Sequence, residues 1–368
     1  MPSMIFHAPY PLQCQGSAAS AIRPVKMRQA FSDLGYSVFE ITGHAAQRLA
    51  RLKQLQARLE AGERFDFMYS ENATIPPAVT DPHHFPPHFL LEAKVFRTCA
   101  SYGIPTGVFY RDIYWVFPEY DSRVRQPLNA IMKALYRWEL SVYDRYASVI
   151  FLPTLKMVSY LPVLNGPNLI PLPPGGDRSS FNNEERSEDP HRPLHVFYIG
   201  GIGGHYRLFN LVEAASDLSG VELTICTNAK PWEDMRPQYP LVESSNNIQV
   251  VHASGDERDQ WYRWADVCYV ALEPQPYGVF AAPVKFYEYI NRGKPMIVTE
   301  GTHIAEVLRG QRLGWVTDNS VAQLRDLLCH LRDDREQVRA ARELTVDFSR
   351  EQTWMHRAQE VQHALVKE

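Results

Sequence analysis

Short apolar segments alternate with amphipathic segments along nearly all of the 368 residues, and this alternation limits the possible folds more than any other feature. In the first half, strand-like segments lie at residues 4–8, 37–41, 65–69, 104–109 and 148–152. Helical patterns separate them, at about residues 19–34, 45–61, 89–102 and 122–146. Short apolar strands connected by helices are typical of a parallel sheet that is covered on both faces. The pattern therefore predicts an α/β fold.

A segment rich in proline, glycine and charge, PLPPGGDRSSFNNEERSEDPHRP at residues 171–193, interrupts the alternation and indicates an interdomain linker. The alternation then restarts, with strands predicted at 194–199, 221–225, 248–251, 267–272, 296–299 and 313–316. Helices are predicted at about 206–218, 257–265, 283–292, 303–308, 321–331, 335–346 and 351–366. We therefore expect two doubly wound, Rossmann-like domains, residues 1–175 and 194–350, joined by a linker at 176–193 and facing an interdomain cleft. The last helix, about 351–368, is expected to pack back on the first domain.

Composition excludes several classes of function. The formal net charge of −4 argues against a nucleic-acid partner. The five cysteines are scattered and lack CxxC spacing, which favours a reducing compartment without disulfides or a zinc site. The N-terminal sequence MPSMIFHAPYPLQ does not read as a signal peptide, and no run of about 18 apolar residues predicts a membrane span. The expected location is cytoplasmic.

The segment PVKFYEYINRGKPMIV begins at Pro283 and predicts a helix that ends near Gly293 and leads into a buried strand. Lys285 and Glu288 are three residues apart, so they share one face close to the helix N-terminus. Free N–H groups and the helix dipole favour an anion there. Lysine can neutralise a phosphate, and glutamate can accept two hydrogen bonds from a ribose diol. The alternative is an ordinary solvated ion pair.

Two glycine-containing loops follow predicted strands, where a chain can approach phosphate closely. The first, VFYIGGIGGHYRLF, contains Gly200, Gly201 and Gly203, followed by His205 and Arg207 at the expected start of a helix. It matches neither a P-loop nor GxGxxG, so a tight strand–helix turn is the alternative.

The second loop, YPLQCQGSAASAIRPVKM, places Gly16, Ser17 and Ser20 before Arg23 and Lys26. Its small residues allow a ligand to approach, and an ordinary capped helix with a basic surface is the alternative.

The segment GVFYRDIYWVFPEYDS places Arg111 and Asp112 at the carboxyl end of a predicted strand, where ligand sites form in α/β proteins. Asp112 could serve as general base or bind an acceptor hydroxyl, and Tyr114 and Trp115 could stack on a sugar. The alternative is a surface ion pair beside packed aromatic rings.

Two further segments have a weaker functional indication. His83, His84 and His88 lie in a proline-rich stretch without other metal-ligand spacing, so we expect a mobile acceptor-side loop and no metal. The predicted helix at 122–146 carries five basic residues among apolar ones. It could lie on the cytoplasmic face of an anionic membrane as a peripheral contact, or be an ordinary packed helix.

Together these motifs resemble nucleotide-sugar glycosyltransferases of the two-domain GT-B architecture. PVKFYEYINRGKPMIV resembles the donor-site signature of glycosyltransferase family four, and YIGGIGG and WADVCYVALEPQPYG resemble the segments that precede it. GSAASAIRPVKM resembles the N-terminal glycine loop of capsule and cell-wall sugar transferases. The resemblance extends in order over most of the chain.

The resemblance implies that Glu288 binds the nucleotide ribose, that Lys285 holds the diphosphate, and that Gly16 lies near the donor–acceptor junction. The remaining donor-binding residues that it implies are Gly200, Gly201, Gly203, Arg207, Tyr277 and Val284. Arg111, Tyr114 and Trp115 fall on the acceptor side. Neither a metal nor a cofactor is implied, since cationic side chains and helix N-termini neutralise the diphosphate. One departure is Phe280, which stands where the family signature has a second glutamate.

The implied function is transfer of a sugar from a UDP-, GDP- or TDP-linked donor to a glycan or lipid-linked acceptor, in bacterial surface polysaccharide synthesis and with retention of configuration. The KFYEY form is also similar to that of inverting exopolysaccharide glucuronosyltransferases, for which Asp112 would be the base. A sugar-nucleotide epimerase and a noncatalytic nucleotide-sugar-binding protein remain as alternatives.

Overall fold

The computed structural model describes residues 1–12, 19–86, 88–177, 192–204, 206–273 and 275–366. The chain divides into two compact units, residues 1–174 with 354–368 and residues 175–353. Gly16 and His205 lie outside the described residues, as does most of the predicted linker.

Unit 1 contains a parallel sheet of six strands among the described residues, in the order β2-β1-β3-β4-β5-β6. The strands are β1 (Ser3–His7), β2 (Ser37–Ile41), β3 (Phe67–Glu71), β4 (Thr106–Phe109), β5 (Val149–Leu152) and β6 (Asn168–Pro171). The helices of the unit are α1 (Ala19–Asp33), α2 (Ala45–Glu60), α3 (Leu91–Ser101), α4 (Pro118–Arg123), α5 (Leu128–Tyr146) and, from the end of the chain, α15 (Trp354–Leu365).

The C-terminal helix α15 is an integral part of unit 1. Trp354, Ala358, Val361 and Leu365 are buried in one cluster with Phe31 of α1 and with side chains of the sheet. These four residues recur at helical spacing, which gives α15 one continuous apolar face. The helix therefore covers the same side of the sheet as α1.

Unit 2 contains a second parallel six-stranded sheet, in the order β12-β11-β10-β7-β8-β9. The strands are β7 (Leu194–Ile199), β8 (Val221–Cys226), β9 (Ile248–Val251), β10 (Val267–Val270), β11 (Met296–Thr299) and β12 (Gly314–Thr317). The helices are α6 (Phe209–Ala215), α7 (Ala229–Met235), α8 (Pro240–Ser244), α9 (Arg258–Trp264), α10 (Pro276–Phe280), α11 (Val284–Asn291), α12 (His303–Gln311), α13 (Val321–Asp333) and α14 (Arg335–Ser349).

The two faces of the unit 2 sheet bury separate cores, which explains why most residues of its strands are apolar. Leu211 of α6 and Leu324 of α13 pack in the core on one face. Phe286 of α11 and Ile304 of α12 pack in the core on the other. Counted within the unit, the strand order is 6-5-4-1-2-3, the doubly wound order of a Rossmann domain.

The structure corrects several predicted elements. The helix predicted at 122–146 is broken into α4 and α5, because Val124 is extended and Pro127 follows it. The helix predicted at 206–218 begins later, at Phe209, because Gly203 and Tyr206 exchange two backbone hydrogen bonds in a tight turn. The prediction lacks strand β6, a partly exposed edge strand with little apolar signal. It also lacks three short helices, α7, α8 and α10.

Candidate donor site and acceptor-side residues

The candidate donor residues of unit 2 lie near the topological switch point of its sheet. Strand β7 is the first strand of the unit, and it pairs with β8 on one side and with β10 on the other. In doubly wound sheets, connections leave in opposite directions at this point, and the carboxyl ends of the two strands border a crevice. The glycine loop at 200–204 follows β7, and α11 lies between β10 and β11 in the chain.

Helix α11 is held against β7 by its buried tyrosine. The backbone N–H of Ile199 donates to Tyr289 Oη at 3.0 Å, and Tyr289 Oη donates to the Tyr269 carbonyl at 3.4 Å. The helix ends as its sequence predicts, since Gly293 has a φ of 59° and the Lys294 N–H bonds back to the Tyr289 carbonyl. The first turn of α11 is therefore fixed relative to the end of β7.

Lys285, in the first turn of α11, reaches the glycine loop. Its Nζ lies 3.1 Å from Tyr198 Oη and above two tyrosine rings, 4.8 Å from the Tyr198 centroid and 3.9 Å from the Tyr206 centroid. A Cβ atom added to Gly200 would lie 2.3 Å from the same Nζ. Gly200 also has a φ of 150°, so both its conformation and its close approach to Lys285 favour glycine.

The surroundings of Lys285 make its charge sensitive to pH. Burial lowers the pKa of the ammonium to about 7, and the negative charge of Glu288 opposes this change. The two tyrosine rings also favour the charged form, because their faces attract cations. Because burial disfavours the charged ammonium, a phosphate close to this amine would stabilise the charged form.

Glu288 lies one turn after Lys285 on α11 and is half-buried. Within the described part of the chain its carboxylate has neither a hydrogen-bond partner nor an ion-pair partner, and it acts on Lys285 and Tyr262 only through its charge. Both carboxylate oxygens can therefore accept hydrogen bonds from a ligand.

The other predicted donor residues have more varied surroundings. Arg207 is exposed and precedes α6, Gly201 is exposed, and Val284 is the half-buried first residue of α11. Gly203 lies against the side chain of Met235, with a φ of 94°.

Tyr277 packs edge-to-face on Phe280, which is itself buried. Phe280 therefore has a packing role at the position where the family signature has an acid. The roles predicted for the donor residues stay predictions.

The acceptor-side residues of unit 1 follow strand β4. Asp112 Oδ1 accepts a hydrogen bond from the Tyr114 N–H at 2.9 Å, so this carboxylate caps the turn that follows the strand. Burial raises the pKa of Asp112, and the N–H groups of Tyr114 and Ile113 and the charge of Arg111 oppose the increase. A raised pKa is compatible with a general base, and the catalytic role of Asp112 stays a prediction.

Trp115 belongs to the core of unit 1. It is buried, its ring stacks on Tyr136 at 5.2 Å between centroids, and its Nε1 donates to Tyr110 Oη. In the described structure the Trp115 ring is covered by protein, so the predicted sugar contact would require this packing to change. Tyr114 is half-buried and lies beneath the guanidinium of Arg123.

Arg111 is part of a polar cluster that sequence reasoning missed. Its Nη2 donates to Tyr10 Oη at 2.9 Å and to Glu71 Oε2 at 3.4 Å. The fully buried Glu71 carboxylate also accepts from Arg23 Nε at 3.0 Å and from Tyr69 Oη at 2.7 Å. The sequence feature that could have indicated this cluster is the polar run Ser-Glu-Asn at residues 70–72, where the otherwise apolar strand β3 ends.

A second buried cluster, also missed, lies under α3 and α5. Glu139 accepts hydrogen bonds from Asn72 Nδ2 and from Tyr143 Oη. Burial raises the pKa of Glu139 well above its usual value and that of nearby Glu92 to about 7. Arg48 Nη1 donates to Glu92 at 3.0 Å. These side chains are 3% exposed or less, so the cluster is internal to unit 1.

Neither a metal site nor a membrane span is found in the described parts of the chain. Among those residues, no group of three or more histidine, cysteine, aspartate or glutamate side chains could hold a metal ion. None of the described helices is long and apolar enough to cross a bilayer.

No protein-family model matches the chain. No curated protein matches it either. Solved structures share its fold. Anabaena HepE in complex with UDP aligns with a TM-score of 0.65 at 12% identity, over 99% of each chain. The α,α-trehalose 6-phosphate synthase of Burkholderia multivorans aligns at 0.62 and 11% identity, over 99% of this chain and 98% of that one. WaaG, a glycosyltransferase involved in lipopolysaccharide biosynthesis, aligns at 0.58 and 12% identity over the whole of both chains.

These likenesses confirm the predicted α/β fold with two parallel sheets, which is the fold of GT-B glycosyltransferases. At identities of 11–12% they establish the fold alone. Membership of glycosyltransferase family four stays a prediction.

Proposed function

We propose that this protein is a glycosyltransferase that binds a nucleotide diphosphate sugar on unit 2 and transfers the sugar to an acceptor. The contact between Lys285 and the glycine loop carries the proposal. A partly desolvated ammonium lies directly over Gly200 at the carboxyl end of the first strand of a Rossmann-like sheet. Nucleotide phosphates bind at this position in doubly wound domains.

In the proposed binding mode, Lys285 pairs with the diphosphate, and the carboxylate of Glu288, which has no partner among the described residues, accepts hydrogen bonds from the ribose diol. The lysine would stabilise the negative charge that develops on the leaving diphosphate, and it would do so without a metal ion. The solved HepE structures with UDP and with UDP-glucose support a nucleotide-sugar donor, because they share the fold of this chain.

For the acceptor we propose a glycan or lipid-linked acceptor of bacterial surface polysaccharide synthesis, with retention of configuration. Asp112 keeps one alternative open. Its carboxylate lies at the carboxyl end of β4 and its pKa is raised by burial, both of which suit the base of an inverting enzyme. An epimerase or a noncatalytic nucleotide-sugar-binding protein would use the same donor residues and require no acceptor.

Calorimetry with UDP, GDP and TDP tests the donor site. We expect one of these nucleotides to bind the wild-type protein, and Lys285→Ala and Glu288→Ala each to weaken that binding by about tenfold or more, since each removes hydrogen bonds to a charged group. Gly310→Ala is the control, because Gly310 is exposed in the last turn of α12 and a Cβ atom there meets nothing within 4 Å. Unchanged affinity in both variants would show that the donor site has been placed wrongly.

Product analysis then separates the three activities. The protein is incubated with labelled nucleotide sugars, with and without a membrane extract. Transfer of label only when extract is present supports a glycosyltransferase, and interconversion of the free nucleotide sugars indicates an epimerase. Nucleotide binding without turnover of any kind indicates a binding protein.

A further inference from the structure

Three large aliphatic side chains of unit 1 project into solvent from α5 and from the segment just before α3. Leu128 and Ile131 of α5 are 56% and 54% exposed, and Leu90, immediately before α3, is 53% exposed. Single exposed apolar residues are common on soluble proteins, whereas neighbouring ones indicate a contact surface.

These residues belong to one continuous surface. Leu128, Ile131 and Trp138 are spaced by three and seven residues, so they lie along one side of α5. The Trp138 ring stacks on Phe89 with centroids 4.3 Å apart, which brings the segment before α3 against the same side of the helix. Leu90 follows Phe89 directly.

Positive charge borders this apolar stripe. Arg123, Arg125 and Arg137 are exposed, and none of them has an ion-pair partner among the described residues. Arg123 and Arg137 lie instead over the rings of Tyr114 and Trp115, which hold the two guanidinium groups in place without neutralising them.

The acidic residues nearby compensate little of this charge. Asp121 already binds Lys133 and Asn129, and Glu139 is buried. Glu119 is the remaining exposed acid of α4. Asn129 also donates to the Val124 carbonyl, so the arginines that precede α5 are tied to the helix start that presents Leu128.

We propose that this surface, made of Leu90, Leu128, Ile131, Trp138 and the three arginines, docks unit 1 onto an anionic lipid bilayer. The aliphatic side chains would enter the interface between headgroups and acyl chains while the arginines contact lipid phosphates. A second copy of the chain fits this surface less well, because a two-fold contact would bring its unpaired arginines close to those of the partner. The proposal does not depend on the identity of the nucleotide or on the sugar transfer.

Sedimentation with vesicles tests the proposal. The full chain is mixed with phosphatidylcholine vesicles and with vesicles that also contain phosphatidylglycerol. We expect binding to the anionic vesicles that weakens as salt is added, and little binding to the neutral ones. Equal binding to both kinds of vesicle, or binding to neither, would overturn the proposal.

Two double variants locate the contact. Leu128→Ser with Ile131→Ser removes apolar insertion, and Arg123→Gln with Arg125→Gln removes charge. We expect each pair to lower partitioning onto anionic vesicles by about tenfold or more. The matched controls are Leu344→Ser, an exposed leucine of unit 2, and Arg51→Gln, an exposed arginine of α2, and both should partition like the wild type.

Thermal unfolding by circular dichroism checks that the variants fold. The two arginines are exposed and lie outside the core, so the arginine variant tests the lipid contact even if the leucine variant is destabilised. Analytical ultracentrifugation without lipid tests the alternative that this surface binds a second copy of the chain. Self-association that the leucine pair abolishes, without selective binding to anionic vesicles, would make this surface an interface between copies of the chain.

Discussion

The pH dependence of nucleotide-sugar binding tests the role of Lys285 most directly, because burial lowers the pKa of its ammonium to about 7. Below that pH the amine is charged, and above it the charge is lost, in a range where an exposed lysine stays protonated. In the proposed binding mode, the diphosphate interacts with the charged form. Affinity should therefore be greatest below about pH 7 and should fall as the pH rises.

The size of this loss follows from the strength of the amine–diphosphate contact. A hydrogen bond to a charged group contributes about 1.5–3 kcal/mol. A contact of about 2 kcal/mol raises the pKa of the bound amine to about 8.5. Between about pH 6 and about pH 8.5, the linkage between proton and ligand binding then lowers the affinity about fifteenfold.

The assay is calorimetry with an intact nucleotide sugar, because a diphosphate esterified at both ends does not titrate in this range. Lys285→Arg keeps a positive charge at every pH used, so its binding profile should be flat. Lys285→Met should bind about 10- to 150-fold more weakly than the wild type at low pH, with no further loss at high pH.

Two results would refute the reasoning. A flat profile for the wild-type protein would mean that Lys285 does not lose its charge in this range or does not contact the diphosphate. An equal slope in the wild type and in Lys285→Arg would mean that another group titrates.

Four further perturbations have definite expected outcomes. Glu288→Gln should weaken binding of a ribonucleotide about tenfold and that of its 2′-deoxy analogue much less, since the lost acceptor faces the diol; equal losses for both, measured by calorimetry, would contradict the ribose contact. Gly200→Ala should weaken nucleotide binding about tenfold, because the new methyl group displaces the Lys285 amine, and an affinity equal to that of the Gly310→Ala control would argue against this. Asp112→Asn should lower turnover at saturating donor by about 100-fold or more if Asp112 is the base, and unchanged turnover would exclude that role. Burial raises the pKa of Glu139, so the folded protein keeps a proton that the unfolded chain releases above about pH 4.5, and unit 1 should lose stability as the pH rises from there through the raised pKa. In Glu139→Gln, the protection of the α5 amides against hydrogen exchange, measured relative to their intrinsic rates, should depend less on pH. A dependence equal to that of the wild type would contradict the role of Glu139.

Much of the fold could be predicted from local sequence because its strands are short, apolar and buried on both faces. Strands β2, β7, β9 and β11 lie at the predicted positions, and others differ by only a few residues at their ends. The errors fall where the apolar signal is weak or ambiguous. Strand β6 is a half-exposed edge strand, and residues 122–146 have one helical pattern although the extended Val124 separates α4 from α5.

For the candidate site, too, local sequence could indicate some residues and not others. Lys285 and Glu288 could be selected as donor-site candidates from the sequence, because their spacing on one helix and the glycine that ends it are local properties. The sequence could also place Arg111 and Asp112 at a strand end. It could not show that Trp115 is buried, since an aromatic residue after a strand can face either the core or the solvent.

Other features were decided by tertiary structure alone, because they depend on residues far apart in the chain. Lys285 lies over Gly200 only because parallel pairing of β7 with β10 brings α11 to the end of β7, and the same burial lowers the pKa of its ammonium. The Glu71 cluster likewise joins residues from four separate segments of unit 1. Local sequence determined which residue types follow each strand, whereas sheet order and burial determined which of them meet and how they are charged.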